Sequence, residues 1–250
     1  MTLPPTVSVV TAAFNAVSTM QKCCQSVASQ DYAPVEHVVV DGGSTDGTVD
    51  VLREFGVRYE STPDAGLYDA LSKGVRMAHG EFVHIMDADD WYAHPSVLSS
   101  VVAAMTAHGW DVCHGRAAHV AASGRVVRVF GRNLDKRGLL TKMRVAYPTV
   151  VVRRAVYERY GAFSVGFQVA ADHEFLLRIW DHVRVGFLDD ILVHVAIGGI
   201  STRPENVVRS YRESMAAAVM HGAHPAPATI RCSYEIAKHR LFFGRRYWQT

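Results

Sequence analysis

The chain has 250 residues, 49% of them hydrophobic and 20% charged, with a formal net charge of +2. This balance fits one large α/β domain with a substantial core, and it makes no case for a nucleic-acid partner. The four cysteines, Cys23, Cys24, Cys113 and Cys232, lack CxxC spacing, and no apolar run approaches the roughly 20 residues that span a bilayer, so a zinc site, export and membrane insertion are not expected. A cytoplasmic chain with reduced thiols is expected.

Short β-branched runs alternate with helix-like segments through the first half. Val7–Ala13 leads to a helix over Ala16–Ser29, Val35–Val40 to Thr48–Phe55, Val57–Glu60 to Tyr68–Ala78, and Phe82–Met86 to Pro95–His108. The alternation predicts βαβ units and a mostly parallel sheet flanked by helices. Asn15, Ser44, Asp46 and Pro95 stand where helix starts need caps or a first-turn proline. Beyond Asp111 the rhythm changes. Val112–His114 reads as a strand, Ala117–Phe130 as a hairpin around Ser123-Gly124, Thr149–Val152 as a strand, and Arg154–Tyr160 as a helix closed by Gly161. Asp172–His182 reads as a helix, and Val185–Val195 as a strand interrupted at Asp189-Asp190. The expected organisation is one half over 1–110, a second half of the same domain over 111–203 and a helical tail over 204–250. Within the tail, Arg231–Trp248 mixes arginines with aromatics. Packing of its aromatics on the body is the favoured reading, and contact with an anionic membrane at the inner face is the second.

The most informative stretch is Val83–Trp91, where an apolar run that reads as a buried strand delivers Asp87, Asp89 and Asp90 at its carboxyl end. Ligand crevices of open α/β sheets lie just outside that edge, and like charges crowded there want a cation. Asp87 and Asp89 share a face if the backbone stays extended, while Asp90 faces elsewhere. A small set of hard oxygens suits Mg²⁺ or Mn²⁺ held jointly with substrate phosphates, although a solvated acidic turn before the Pro95 helix has the same composition. Val38–Gly43 places Asp41 at the end of the second strand before two glycines that allow a sharp turn beside a ligand. Asp41 as a turn former and Asp46 as a helix cap explain the same residues without a ligand. Phe14, next to that edge, offers a face on which a base can stack, and an ordinary core position is its commoner use.

These segments together resemble family 2 glycosyltransferases, whose catalytic domain has the A-type nucleotide-sugar-binding fold. The resemblance covers roughly residues 6–201 and rests on Val7–Asn15, Val39–Thr48, Pro63–Ala70, His79-Gly80-Glu81, Asp87–Trp91 and Ala171-Asp172. It implies inverting transfer of a sugar from a nucleotide diphosphate donor, most often UDP-linked, to a glycan, glycolipid or small-molecule hydroxyl, with 1–110 the nucleotide-sugar-binding half and 111–203 the acceptor-binding and catalytic half. By position, the resemblance assigns Ala12, Phe14 and Asp41 to the base, Asp64, Gly66 and Tyr68 to the loop bordering the nucleotide, and Asp87 and Ala88 to the donor. Asp89 becomes the principal ligand of Mn²⁺ or Mg²⁺, with Asp87 and Asp90 sharing the load, and Asp172 the general base. An N-cap for the following helix is the plainer role of Asp172.

Two departures stand out. Ala171 replaces the glutamate that usually precedes the base, so one supporting acid is absent. Gly66 stands near where many members carry an arginine for the diphosphate, leaving Lys73, Arg76 or Arg203 as sources of positive charge. The Gln-x-x-Arg-Trp motif of polymer-building members is missing, which points to single addition. A nucleotidyltransferase is the alternative enzyme, but Ala13-Phe14-Asn15-Ala16 lacks the glycine and lysine of its phosphate loop. A noncatalytic nucleotide-sugar-binding protein is the other alternative, opposed by the joint presence of Asp41, Asp87, Asp89 and Asp172.

Overall fold

The computed structural model describes residues 6–198 and 204–242. Its first half follows the valine-rich alternation. β1 (Val7–Ala13), β2 (Val35–Asp41), β3 (Arg58–Ser61) and β4 (Phe82–Ile85) pair in parallel in the order β3-β2-β1-β4, joined by α1 (Val17–Ala28), α2 (Thr48–Glu54) and α3 (Leu67–Met77). β1 and β4 are covered on both faces, which is why they read as continuous apolar runs instead of alternating ones.

Past β4 the sheet becomes mixed. β5 (Trp91–Tyr92) is followed by α4 (Val97–His108), β6 (Val112–Val120), β7 (Val126–Phe130), α5 (Lys136–Thr141), β8 (Val151–Arg153), α6 (Arg154–Tyr160), α7 (Ala171–Ile179) and β9 (Val185–Ala196). β8 runs antiparallel between β4 and β6, β9 lies parallel to β6, and β5 and β7 pair antiparallel with β9 and β6. β6 therefore points the same way as β1 and β4, and its carboxyl end emerges at the same sheet edge. α8 (Pro204–Met220) and α9 (Pro225–Phe242) complete the described chain, α8 lying against α5 and α7. No helix of the described residues is long and apolar enough to cross a membrane.

Three of the departures from the sequence expectation are local. The segment expected as a strand from Thr149 begins with a 3₁₀ turn at Tyr147–Thr149, because Pro148 favours the turn and the Thr149 hydroxyl donates to Ala146 O at 2.7 Å. The expected break at Asp189-Asp190 is a register slip inside one continuous β9, with Arg116 pairing Asp189 at 2.5 Å and His94 pairing Asp190 at 3.1 Å. The helix expected to run to His182 ends at Ile179 and tightens into a 3₁₀ turn.

Apolar side chains fill both faces of the sheet. One face packs Val10, Val38, Val83 and Val152 against Leu71, Phe175 and Leu176, and the other packs Val9, Val39, Phe82 and Val151 against Met20, Leu98 and Met105. The strand-to-strand spacing on the amino side is set by a tight loop. Glu36 accepts hydrogen bonds from the Ser8 hydroxyl and from the His79 and Gly80 N–H groups, and Gly80 N also donates to Ser8 Oγ at 2.8 Å. A Cβ on Gly80 would stand 2.7 Å from Ser8 N and 2.8 Å from Thr6 O, backbone atoms that have no room to retreat. Gly80→Ala is accordingly expected to lower unfolding free energy by about 1–3 kcal/mol, measured by urea denaturation, and a variant as stable as the parent would contradict this packing.

Candidate active site

The loop after β2 is built from its own polar side chains. Asp41 is fully buried, and its Oδ2 accepts from Gly43 N (3.1 Å), Ser44 N (2.9 Å) and Ser61 Oγ (2.6 Å), while Ser44 Oγ donates to Oδ1. Asp46 then accepts from Val17 N at 3.0 Å and from Thr48 N at 3.0 Å, capping α1 and α2 together, and Thr48 Oγ1 accepts from Ala16 N at 2.8 Å. These bonds lock the carboxyl ends of β1 and β2 into one rim. Asp41 thus shapes the rim from beneath.

The exposed groups at this rim are others. Phe14 is 66% exposed, and an added Cβ at Gly42 would lie 3.3 Å from the Phe14 ring and 2.7 Å from Asp64 Oδ2. Glycine at 42 lets the backbone pass closer to Phe14 and Asp64 than any side chain would allow. Asp64 is fixed there by accepting from Gly66 N at 2.8 Å, and Gly66, at φ +118°, opens α3. Ala12 is half-buried on β1 below. Lys73 is committed to Asp69 at 3.0 Å, which leaves it poorly placed as free positive charge, and Arg203 lies outside the described residues.

Asp87, Ala88 and Asp89 follow β4 after the buried Met86 and are half-buried, whereas Asp90 is buried, with Oδ1 accepting from Ala196 N of β9 at 3.2 Å and Oδ2 unpartnered. Burial pushes the Asp87 carboxyl well above the usual carboxylate range, and the charges of Asp89 and Asp172 push it further. Asp90 is raised by burial and then by Asp87 and Asp89. The aspartates at the end of β4 and the aspartate of α7 therefore feel one another across the fold.

Asp172 sits in the first turn of α7. Burial pushes its carboxyl up to about 6, opposed by hydrogen bonds from His173 N (2.8 Å to Oδ1) and from the Tyr68 hydroxyl, and assisted by the charge of Glu213. Tyr68 is buried against Phe163, with its hydroxyl 2.9 Å from Val169 O and 3.3 Å from Asp172 Oδ1. Expected in the loop bordering the nucleotide, it is turned inward, where it steadies Asp172.

Sequence reasoning missed Glu213. From α8, its Oε2 accepts from three successive backbone N–H groups, Gln168 (3.0 Å), Val169 (2.8 Å) and Ala170 (3.0 Å), in the segment that leads into Asp172. The supporting acid lacking at Ala171 is thus matched by an acid 41 positions beyond Asp172. Further along α7, Glu174 is buried and holds Arg178 at 2.9 Å and His221 at 3.0 Å, fixing the helix to α8.

The profile of a family described as Glycosyl transferase family 2 matches residues 8–161. The chain belongs to glycosyl transferase family 2. An uncharacterized glycosyltransferase of Mycobacterium tuberculosis (strain CDC 1551 / Oshkosh) is 33% identical over 198 residues, covering 71% of this chain and 70% of the relative. Among solved structures, S. aureus TarS 1–349 in complex with UDP-GlcNAc superposes with a TM-score of 0.70 at 21% identity, covering 94% of this chain and 73% of that one. Glucosyl-3-phosphoglycerate synthase from Mycobacterium tuberculosis, in complex with Mn²⁺, UDP and glucosyl-3-phosphoglycerate, superposes with a TM-score of 0.61 at 20% identity, covering 87% and 80%. The fold of this glycosyltransferase is the A-type fold, and family membership sets aside the nucleotidyltransferase reading.

Glu213→Ala strips the acceptor from three N–H groups of one loop, so it is expected to cost about 2–3 kcal/mol in urea unfolding. Glu213→Gln keeps an acceptor oxygen and is expected to lose less than the alanine variant. Equal losses would mean the hydrogen bonds do not hold the loop.

Proposed function

We propose that this glycosyltransferase moves a sugar from a nucleotide diphosphate donor, UDP-linked by preference, to an acceptor hydroxyl with inversion at the anomeric carbon. The observation that carries the reading is that Asp87 and Asp172, from opposite halves of the fold, are both withdrawn from water and lie near enough for the charge of Asp172 to raise the Asp87 carboxyl. The UDP and UDP-GlcNAc of the structural relatives agree with the rim that carries Phe14 and Asp64 at the end of β1 and β2, where a flat base would meet an exposed aromatic ring and an acceptor carboxylate.

The residues also fit a divalent cation. Asp87 and Asp89 supply hard oxygens, the raised protonation of Asp87 and Asp90 marks charge left uncompensated, and Asp90 Oδ2 has no protein partner. Among the described residues no three His, Cys, Asp or Glu side chains form a ligand shell of their own, which suits an ion that takes its remaining oxygens from the substrate diphosphate. Asp89 and Asp87 would hold Mn²⁺ or Mg²⁺, Mn²⁺ being the ion in one structural relative, while Asp90 ties this turn to β9. When bound, such an ion neutralises charge on the departing diphosphate.

Asp172 acts as the base. Its carboxylate takes the proton of the acceptor hydroxyl as that oxygen bonds to the anomeric carbon and the bond to the diphosphate oxygen breaks on the opposite face. A single displacement inverts the centre. Tyr68 and Glu213 keep the carboxylate aimed, and burial gives it a proton affinity suited to accept near neutrality without remaining protonated. Four buried free cysteines agree with a cytoplasmic setting.

Asp172→Asn is expected to keep donor affinity, read by calorimetry, while transfer falls by about 10²–10⁴-fold. Asp89→Ala is expected instead to weaken donor binding in the presence of Mn²⁺. Wild-type transfer in the first variant would remove the base, and wild-type binding in the second would remove the metal ligand. Because Asp172 must be deprotonated to act, kcat/KM should fall as pH drops through about 6 and level off above it. A profile flat from pH 5 to 7 would contradict this, since about a tenfold fall per pH unit is required below the base's pKa.

A further inference from the structure

The β6–β7 hairpin carries features that the transfer reaction does not use. Among the described residues β7 pairs only with β6 and no strand covers its outer edge, and Val126, Val127 and Val129 are 47%, 45% and 42% exposed on it. Arg125, Arg128 and Arg132 project from the same strand and its ends, all exposed. The patch continues into the next loop. Arg132 N donates to Arg144 O at 3.1 Å, and Arg144 and Arg137 flank an open hollow of about 310 Å³ walled by Leu134. Among the described residues none of these five arginines makes an ion pair, whereas their neighbours Lys136 and Lys142 are each matched, to Asp181 and Glu235. A chain with a net charge of only +2 thus gathers five arginines without ion pairs, with Asp135 the one acid lining their hollow, beside exposed valines along this hairpin and the loop after it.

We propose that this face docks on an anionic phospholipid bilayer. Guanidinium groups match lipid phosphates, and valines flanked by them suit shallow insertion at the headgroup boundary. A second copy of the chain is a poor occupant, because an isologous contact would set the arginines against themselves. The placement has a consequence for the active site. Trp91, two residues beyond Asp89, pairs with His194, His194 with Ala118, and Ala118 with Val129, a row of three interstrand steps. At about 4.8 Å per step, the docking strand lies about 15 Å from the aspartate turn, on the sheet edge where β6 and β4 both end. Docking there holds the acceptor side of the pocket at the bilayer, within reach of a hydroxyl on a lipid-borne acceptor. The docking itself does not depend on the sugar chemistry proposed above.

Co-sedimentation of the full chain with vesicles tests this, using phosphatidylcholine alone and phosphatidylcholine with about a quarter phosphatidylglycerol. The expected result is binding to the anionic vesicles only, lost at about 0.5 M salt, where charges are screened within a few ångströms. Arg125→Gln/Arg128→Gln/Arg132→Gln should weaken partitioning by about a hundredfold. The same variant should release UDP from a soluble donor at the parental rate, which shows that it is folded. Arg245→Gln/Arg246→Gln in the tail should change binding little. The proposal is overturned if the parent ignores anionic vesicles, as it would were the arginines only guards of an open strand edge. It is equally overturned if the triple variant binds as well as the parent, if only the tail variant loses binding, or if the parent retains tRNA and no vesicles.

Discussion

Everything at this site depends on carboxylates held where water is scarce. The carboxyl ends of β1, β2 and β4 converge on one edge, and the antiparallel insertion of β8 brings β6, β9 and α7 round to face it. A carboxylate in such a place is unstable as an anion unless something positive or hydrogen-bonding meets it. Asp87 and Asp90 are left short of such partners, the two donors on Asp172 only partly offset its burial, and each carboxyl is pushed toward its protonated form. That deficit is what a cation, a diphosphate-bound ion or an acidic hydroxyl proton can relieve.

The acids of this fold divide into two kinds by what they accept. Asp41, Asp46, Glu36 and Glu213 are saturated by N–H and hydroxyl donors and serve as clasps for the loops. For Asp46 the Thr48 hydroxyl leads in holding the carboxyl below its ordinary range, and for Glu36 the bonds from Ser8, His79 and Gly80 outweigh the opposing effect of burial. The clasps fasten the scaffold at separate points: Asp41 and Asp46 beneath the rim of β1 and β2, Glu36 at the opposite, amino end of β1 and β4, Glu213 behind Asp172. Rigid placement and unmet charge are therefore supplied by the same residue type, distinguished only by the backbone around it. This preorganisation is the form in which electrostatic catalysis is built into a scaffold.

The strands were legible because valine runs buried on both faces, as in Val38-Val39-Val40, leave little else possible, and the aspartates after Ile85 were legible because they end such a run. The second half was harder to read. β5 is two residues long, and α5 depends on an Asp135 cap followed by a glycine, a signal too weak to see without contacts. Tyr68 and Asp64 stand four residues apart in one loop motif, yet the turn into α3 sends the tyrosine inward to Asp172 and leaves the aspartate at the rim, a division that spacing alone does not show. Asp41 carried two readings, ligand contact and turn former, and its hydrogen bonds favour the turn. Glu213 lay beyond the stretch that resembles the family. The only hint of it was the missing acid at Ala171, a local deficit whose remedy comes from a distant helix.

The most direct test of the account is calorimetric titration of the protein with UDP at about pH 6.5, between the ordinary carboxyl range and neutrality, with Mn²⁺ or with chelator, in two buffers that differ in ionisation enthalpy. If uncompensated carboxylates form the site, UDP should bind much more tightly with Mn²⁺, and that binding should release protons as the ion displaces them from Asp87 and its neighbours. Equal affinity in chelator, with the heat independent of the buffer, would contradict it.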